Sequence, residues 1–194
     1  MLSKLLQQYN IILGSASPRR KELLSDIGLN FTIQTTDKEE NYPSILKENK
    51  IAEFLSKQKS ELLSEHLKST DLLITADTIV SFKGELLNKP KNKKEAFNIL
   101  RKLSKNTHKV ITGVCIKTLQ KEIIFSTTTM VTFNQLTEDE INHYINNYNP
   151  YDKAGAYGIQ DWIGKIGIQR IEGSYSNVVG LPTDVLYKQL KLFI

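Results

Sequence analysis

The chain has little sulfur, little histidine and no long apolar run, and each shortage excludes a class of function. A single cysteine, Cys115, among 194 residues excludes an internal disulfide and any cysteine-cluster metal site. It lies in the apolar run Val114-Cys-Ile116, which suits a buried structural thiol better than a nucleophile. His66, His108 and His143 are too scattered to suggest a zinc motif. No stretch is apolar for long enough to span a bilayer, and the start Met1-Leu-Ser-Lys-Leu-Leu lacks the continuous apolar centre of a secretory signal. A cytoplasmic protein with no membrane partner is therefore expected. Internal repeats, low-complexity segments and long linkers are also absent, and the length suits a single domain over residues 1–194.

What is present begins with Ile11 to Gly28. Three apolar residues run into Gly14, Ser15 and Ser17, and then Pro18 opens a segment whose Leu23, Leu24 and Ile27 recur at helical spacing up to Gly28. This reads as a strand, a tight turn and a helix, with Ser17 as N-cap and Pro18 at the first helical position. Arg19, Arg20 and Lys21 then place three cations where the helix dipole is already positive, an arrangement that is relieved if a phosphate sits there. A capped helix with solvated arginines is the alternative. The net charge of +5 suits an anionic partner without saying which.

Further along, residues 30–35 alternate as a half-buried strand, and a polar loop with Asp37, Glu39 and Glu40 follows. A helix is expected over 44–68, its apolar stripe formed by Ile51, Phe54, Leu55, Leu62 and Leu63, with Lys59 leaning toward the buried side. The apolar strand over 71–82 is interrupted by Asp77 and Thr78. A carboxylate there is expensive to bury unless it is paired, hydrogen-bonded or on a metal, so Asp77 is the first candidate for chemistry, with a structural ion pair as the alternative. A turn at Gly84 returns the chain to Lys89-Pro90. There follow a helix over 92–104, an antiparallel hairpin of 107–119 with 122–133, and a capping box at Thr137 opening a helix to Tyr148.

The last third contains Lys153-Ala-Gly-Ala-Tyr-Gly-Ile-Gln160. Gly155 and Gly158 allow close approach to a ligand, Tyr157 offers a stacking face, and the Gln160 amide carries a donor and an acceptor that match the edge of uracil or thymine. Lys165–Glu172 reads as a strand, Gly173–Asn177 as a turn, and the chain closes in a helix through Leu192. The fold class inferred is α/β: a mixed, twisted sheet with flanking helices, in two lobes around a cleft that the first turn, Asp77 and the Gly155 region face.

Ser15-Ala-Ser-Pro-Arg-Arg20, Ala76-Asp-Thr78, Lys89-Pro90, Lys153 to Gln160 and Gly173-Ser-Tyr-Ser-Asn-Val-Val-Gly-Leu-Pro182 together resemble the Maf family of nucleoside triphosphate pyrophosphatases, in order and over nearly the whole chain. The resemblance implies a Maf/ITPase-like fold and hydrolysis of a nucleoside triphosphate to the monophosphate and pyrophosphate, with Mg2+ or Mn2+. It puts the proton acceptor on Asp77, phosphate contacts on Ser15, Ser17, Arg19, Arg20, Lys59 and Lys89, and a metal-supporting glutamate on Glu40 beside Asp77. Base choice falls on Arg19, Thr78 and Gln160, in the pattern of the branch that takes dTTP and UTP; modified pyrimidine nucleotides are further candidate substrates. Asp161 and Ser60 depart from the family pattern, and Asp161 brings a negative charge near the expected base pocket. Asp77 either takes the proton of the attacking water or holds the metal that acidifies it; the reading adopted is the base, with Glu40 supporting the metal.

The partner expected is a nucleoside triphosphate, not a nucleic acid, because the notable cations sit in turns beside glycines and an isolated carboxylate instead of on an aromatic-studded face. A homodimer is the expected assembly. A non-catalytic nucleotide-binding regulator of cell division is the competing reading, which binding without turnover would distinguish.

Overall fold

A computed structural model describes residues 2–36 and 41–193. Along the chain lie α1 (Leu2–Leu5), β1 (Asn10–Leu13), α2 (Pro18–Asp26), β2 (Thr32–Ile33), α3 (Glu48–Leu63), β3 (Asp71–Phe82) and β4 (Glu85–Leu86). Then follow α4 (Lys93–Leu103), β5 (Thr107–Lys117), β6 (Glu122–Phe133), α5 (Glu138–Tyr148), α6 (Trp162–Gly167), β7 (Ile168–Glu172), α7 (Tyr175–Val179) and α8 (Thr183–Phe193). Among the described residues the strands form one seven-stranded sheet in the order β2-β1-β3-β5-β6-β7, with β4 pairing on β3. β1 runs parallel to β2 and β3, while β3–β4 and β6–β7 are antiparallel, so the sheet is mixed as expected. No described helix is long and apolar enough to cross a membrane.

The chain divides into two compact units. The first holds Met1–Asp77, Thr112–Thr127 and Gly180–Ile194; the second holds Thr78–Ile111 and Thr128–Val179. In the first, alternate residues of the strands go to opposite faces. Ile11, Leu13, Leu72 and Ile74 pack with Leu186 and Leu190 of α8. Leu73, on the other face, packs with Leu63 of α3. Because both faces are covered, every residue of β3 except Thr78 is buried, and the strand is mostly apolar instead of alternating. In the second unit, Val80, Leu100, Val131, Phe133, Tyr144 and Ile163 belong to a separate core.

The face that α3 buries is not quite the one its largest residues predict. Ile51, Ala52, Leu55, Ser56, Ser60 and Leu63 are buried, while Phe54 and Leu62 are only half-buried. The cause is close packing: a Cβ on Gly113 of β5 would lie 2.1 Å from the Ala52 carbonyl oxygen. The helix backbone rests on the strand, and small residues must line that contact.

Three expected elements change. The strand over 30–35 shrinks to Thr32–Ile33, both exposed, at the edge beside β1. Lys165–Glu172 is not one strand: α6 runs to Gly167 and only Ile168–Glu172 is extended. Gly164 N–H donates to the Asp161 carbonyl at 3.1 Å, and a Gly164 Cβ would lie 1.8 Å from the Ile159 carbonyl oxygen, so glycine lets a helical turn fold tightly onto the preceding loop. Finally, the turn after Gly173 continues into α7, because the Ser174 hydroxyl accepts from Asn177 N–H at 3.4 Å as a helix cap would.

Candidate functional site

Most of the sequence-predicted residues fall into two groups, one in each unit. The first is built where β1 ends against the parallel strand β3, which continues past it. Leu13 pairs with Ile74, and Gly14 N–H donates to the Ile74 carbonyl at 2.8 Å, so the turn into α2 leaves the sheet beside the middle of β3, where Asp77 follows three residues after Ile74. Gly14 is required there, since a Cβ would lie 2.5 Å from Thr75 Cγ2 and 2.8 Å from Leu63 Cδ1.

Ser17 caps α2 by accepting from Arg20 N–H at 3.5 Å, with Pro18 in the first turn. Ser15 is buried, and its hydroxyl accepts from Ser17 N–H at 3.3 Å and from Arg20 Nη1 at 3.2 Å. Arg20 Nε also donates to the Gly180 carbonyl at 2.9 Å. Arg20 is thus a brace that fixes the shape of the turn, and Arg19 beside it is half-buried.

Asp77 is buried and meets Lys59 of α3, whose Nζ donates to Asp77 Oδ1 at 2.5 Å. The local sequence explains the meeting. Thr75 and Asp77 share a face by the strand period of two; Ser56 and Lys59 share a helix face at a spacing of three. Thr75 Oγ1 donates to the Ser56 carbonyl at 2.7 Å, so the next matching pair is Lys59 and Asp77. The buried carboxylate is paired, as its cost demands.

In the second unit, Thr78 is half-buried, while Lys89 is exposed beside a groove of about 250 Å³ shared with Asn88, Glu95, Asn98 and Lys102. Gln160 is half-buried, yet its Oε1 atom is shielded from solvent and has no hydrogen-bond partner among the described residues. An amide acceptor left in this way fits a missing donor.

Two readings of the Lys153–Gln160 segment are corrected. Tyr157 is no stacking face: it is buried, edge-on to Phe133, with its hydroxyl hydrogen-bonded to His108 Nε2 at 2.8 Å. Burial lowers the His108 pKa from 6.5 to about 4. The glycines also serve internal packing, because a Cβ on Gly155 would lie 3.0 Å from Val80 and one on Gly158 2.5 Å from Asp161 Oδ2. Asp161 in turn accepts from Tyr144 Oη of α5 at 2.7 Å, so its carboxylate is met by a buried phenol.

Glu40 lies outside the described residues, and among those described no three His, Cys, Asp or Glu side chains gather into a metal cluster. Ser60 belongs to the buried face of α3, and its hydroxyl has no hydrogen-bond partner among the described residues. Thr129 escaped the sequence reading, and Asn177 entered it only as part of the Gly173–Pro182 motif, with no role of its own. Asn177 is buried and donates to the Val110 carbonyl at 3.0 Å and to Thr129 Oγ1 at 2.9 Å, while Ser174 N–H reaches the same hydroxyl at 3.1 Å. The only sequence signal was an asparagine inside a glycine- and serine-rich turn, and here it braces structure.

The Maf-like protein family matches residues 10–193. The chain belongs to the Maf family. Among its Maf relatives is a protein of Flavobacterium johnsoniae named dTTP/UTP pyrophosphatase, 45% identical over 194 residues that span 100% of both chains. Another of the same name, from Porphyromonas gingivalis, is 48% identical over 191 residues, 97% of this chain and 96% of that one. The Ham1 protein of Staphylococcus aureus shares the fold, with a TM-score of 0.51 at 14% identity over 94% of this chain and 98% of that one.

Proposed function

We propose that this Maf protein is a dTTP/UTP pyrophosphatase, hydrolysing the nucleoside triphosphate between its α and β phosphates to the monophosphate and pyrophosphate. The observation that carries the reading is the buried Asp77–Lys59 pair, three residues along β3 from Ile74, against which the Ser15–Arg20 turn leaves β1. The match to full-length relatives named for this activity supports it.

A triphosphate must have its negative charge offset before water can attack phosphorus. Arg19, Arg20, Lys59 and Lys89 supply the cations, with Ser15 and Ser17 as hydroxyl partners for phosphate oxygens. Asp77 takes the proton of the attacking water on a carboxylate oxygen, while Lys59 holds that carboxylate in place. Arg19, Thr78 and Gln160 select the base: Gln160 Oε1 accepts from N3–H of uracil or thymine while its amide N–H donates to a ring carbonyl.

Nucleotide pyrophosphatases of this family are generally metal-dependent. The donor set fits a hard cation, since the Asp77 carboxylate and phosphate oxygens are the ligands Mg2+ or Mn2+ prefers; Glu40 would add a second carboxylate. Such an ion supplies further charge neutralisation and a more acidic water. The cytoplasm, where nucleotides are made and used, is the proposed location, and a homodimer the proposed assembly.

The test is pyrophosphate release from ribo-, deoxy- and modified nucleoside triphosphates with each metal. UTP and dTTP should be hydrolysed in preference, and Asp77→Asn should lower kcat by about 10²- to 10⁴-fold with the fold intact. Absence of release from every nucleotide would refute the assignment.

A further inference from the structure

Gln160 sits in a four-residue turn, Gly158-Ile159-Gln160-Asp161, closed by Asp161 N–H donating to the Gly158 carbonyl at 3.0 Å. One side chain grips both ends of that turn. The Tyr144 hydroxyl, on α5, accepts from Gly158 N–H at 3.0 Å and donates to Asp161 Oδ2 at 2.7 Å. The phenol is completely buried and stacks on Tyr148 with ring centroids 5.4 Å apart, so it is itself held. Burial, and next the hydrogen bond to Asp161, push its pKa far up; the hydroxyl keeps its proton and stays a donor at any physiological pH. Lys153 Nζ, bonded to Asp152 Oδ1 at 2.7 Å, stands 3.9 Å from Asp161 Oδ2. On the far side, Ile159 is buried in the core of the second unit.

We propose that Tyr144 and Asp161 are positioning residues for base selection, locking the turn so that the Gln160 amide is presented in one place. The proposal rests on Gln160 reading the base. An amide can rotate to match cytosine, whose edge carries the reverse donor–acceptor pattern, so telling uracil from cytosine needs a fixed seat as well as the right group. With both ends of its turn released, Gln160 could re-seat to meet either ring. The departure at Asp161 is then functional: its carboxylate completes the lock.

The experiment measures kcat and KM for UTP, dTTP and CTP in wild type, Tyr144→Phe, Asp161→Ala, Asp161→Asn, Gln160→Ala and the double variant Tyr144→Phe/Gln160→Ala. Tyr144→Phe and Asp161→Ala should each lower the UTP-to-CTP ratio of kcat/KM about tenfold, the scale of one hydrogen bond to a charged group. The loss should appear as a raised KM for UTP with kcat changed by less than about twofold, because no reacting atom is touched. Asp161→Asn, which keeps an acceptor for the phenol, should retain most of the ratio. The double variant should match Gln160→Ala alone, since the lock acts only through that amide. Thermal unfolding of each variant identifies any that fail to fold; should Tyr144→Phe be one, the contrast between Asp161→Ala and Asp161→Asn decides. An unchanged ratio in Tyr144→Phe, or a double variant whose losses add, overturns the proposal while leaving Gln160 as reader. An unchanged ratio in Gln160→Ala overturns both, and so marks failure of the underlying reading.

Discussion

Lys59 on α3 and Asp77 on β3 form an ion pair at 2.5 Å, with their side chains 17% and 9% exposed. Two charges taken this far out of water stabilise each other, since removing one leaves the other desolvated without this counter-charge.

Lys59→Met should therefore destabilise the protein by on the order of 3 kcal/mol, while adding Asp77→Asn to that variant should restore a substantial part of the loss. Urea unfolding of the two single variants and the double one measures the coupling. Strictly additive losses would show that the pair is no energetic unit.

His108 gives the fold an acid limit. Its pKa falls from 6.5 to about 4 on burial, so the unfolded chain binds more protons than the folded one between those values. Stability should be fully present above pH about 6.5 and decline as the pH drops toward about 4, losing roughly 3 kcal/mol from this group. Unfolding free energies across that window, compared with His108→Phe/Tyr157→Phe, test this: the double variant should lose one proton's worth of slope.

Cys115 should be inert. Burial drives its thiol pKa up to about 11, and the side chain is inaccessible. A thiol reagent at pH 8 should label it only on unfolding. Rapid labelling of the native protein would show that this strand opens.

Gly164→Ala should be costlier than Gly158→Ala. The obstacle to a Cβ at 164 is the Ile159 carbonyl oxygen at 1.8 Å, whereas at 158 it is the tip of the Asp161 side chain at 2.5 Å. Backbone cannot swing away as a carboxylate can, so a loss of more than about 2 kcal/mol is expected at 164 and less at 158. Melting temperatures of the two variants rank them.

Much of the first group was legible because its rules are local. A serine before Pro18 caps a helix, a carboxylate inside an apolar strand needs a partner, and Lys59 lies one helical turn beyond Leu55 on the inward side. Where these rules met larger packing demands they failed. Ser56 and Ser60 displaced Phe54 and Leu62 from the buried face of α3, because a helix resting on Gly113 needs small side chains. Lys165–Glu172 carried enough alternation to read as a strand, yet Lys165–Gly167 end α6, whose Gly164 lies close against Ile159.

By itself the sequence determined the α/β class, the capped turn into α2, the carboxylate inside an apolar strand and the family, since each depends on residue type, short-range period or ordered motifs along the chain. Only the tertiary structure decided who partners whom at long range. It put Lys59 on Asp77, turned Tyr157 inward to His108, and brought Tyr144 to both ends of the turn that carries Gln160. Those pairings join residues 14 to 49 positions apart, a separation at which chain periodicity carries no information; the packing of α3 on β3 and of α5 on the Gly158 loop fixes them.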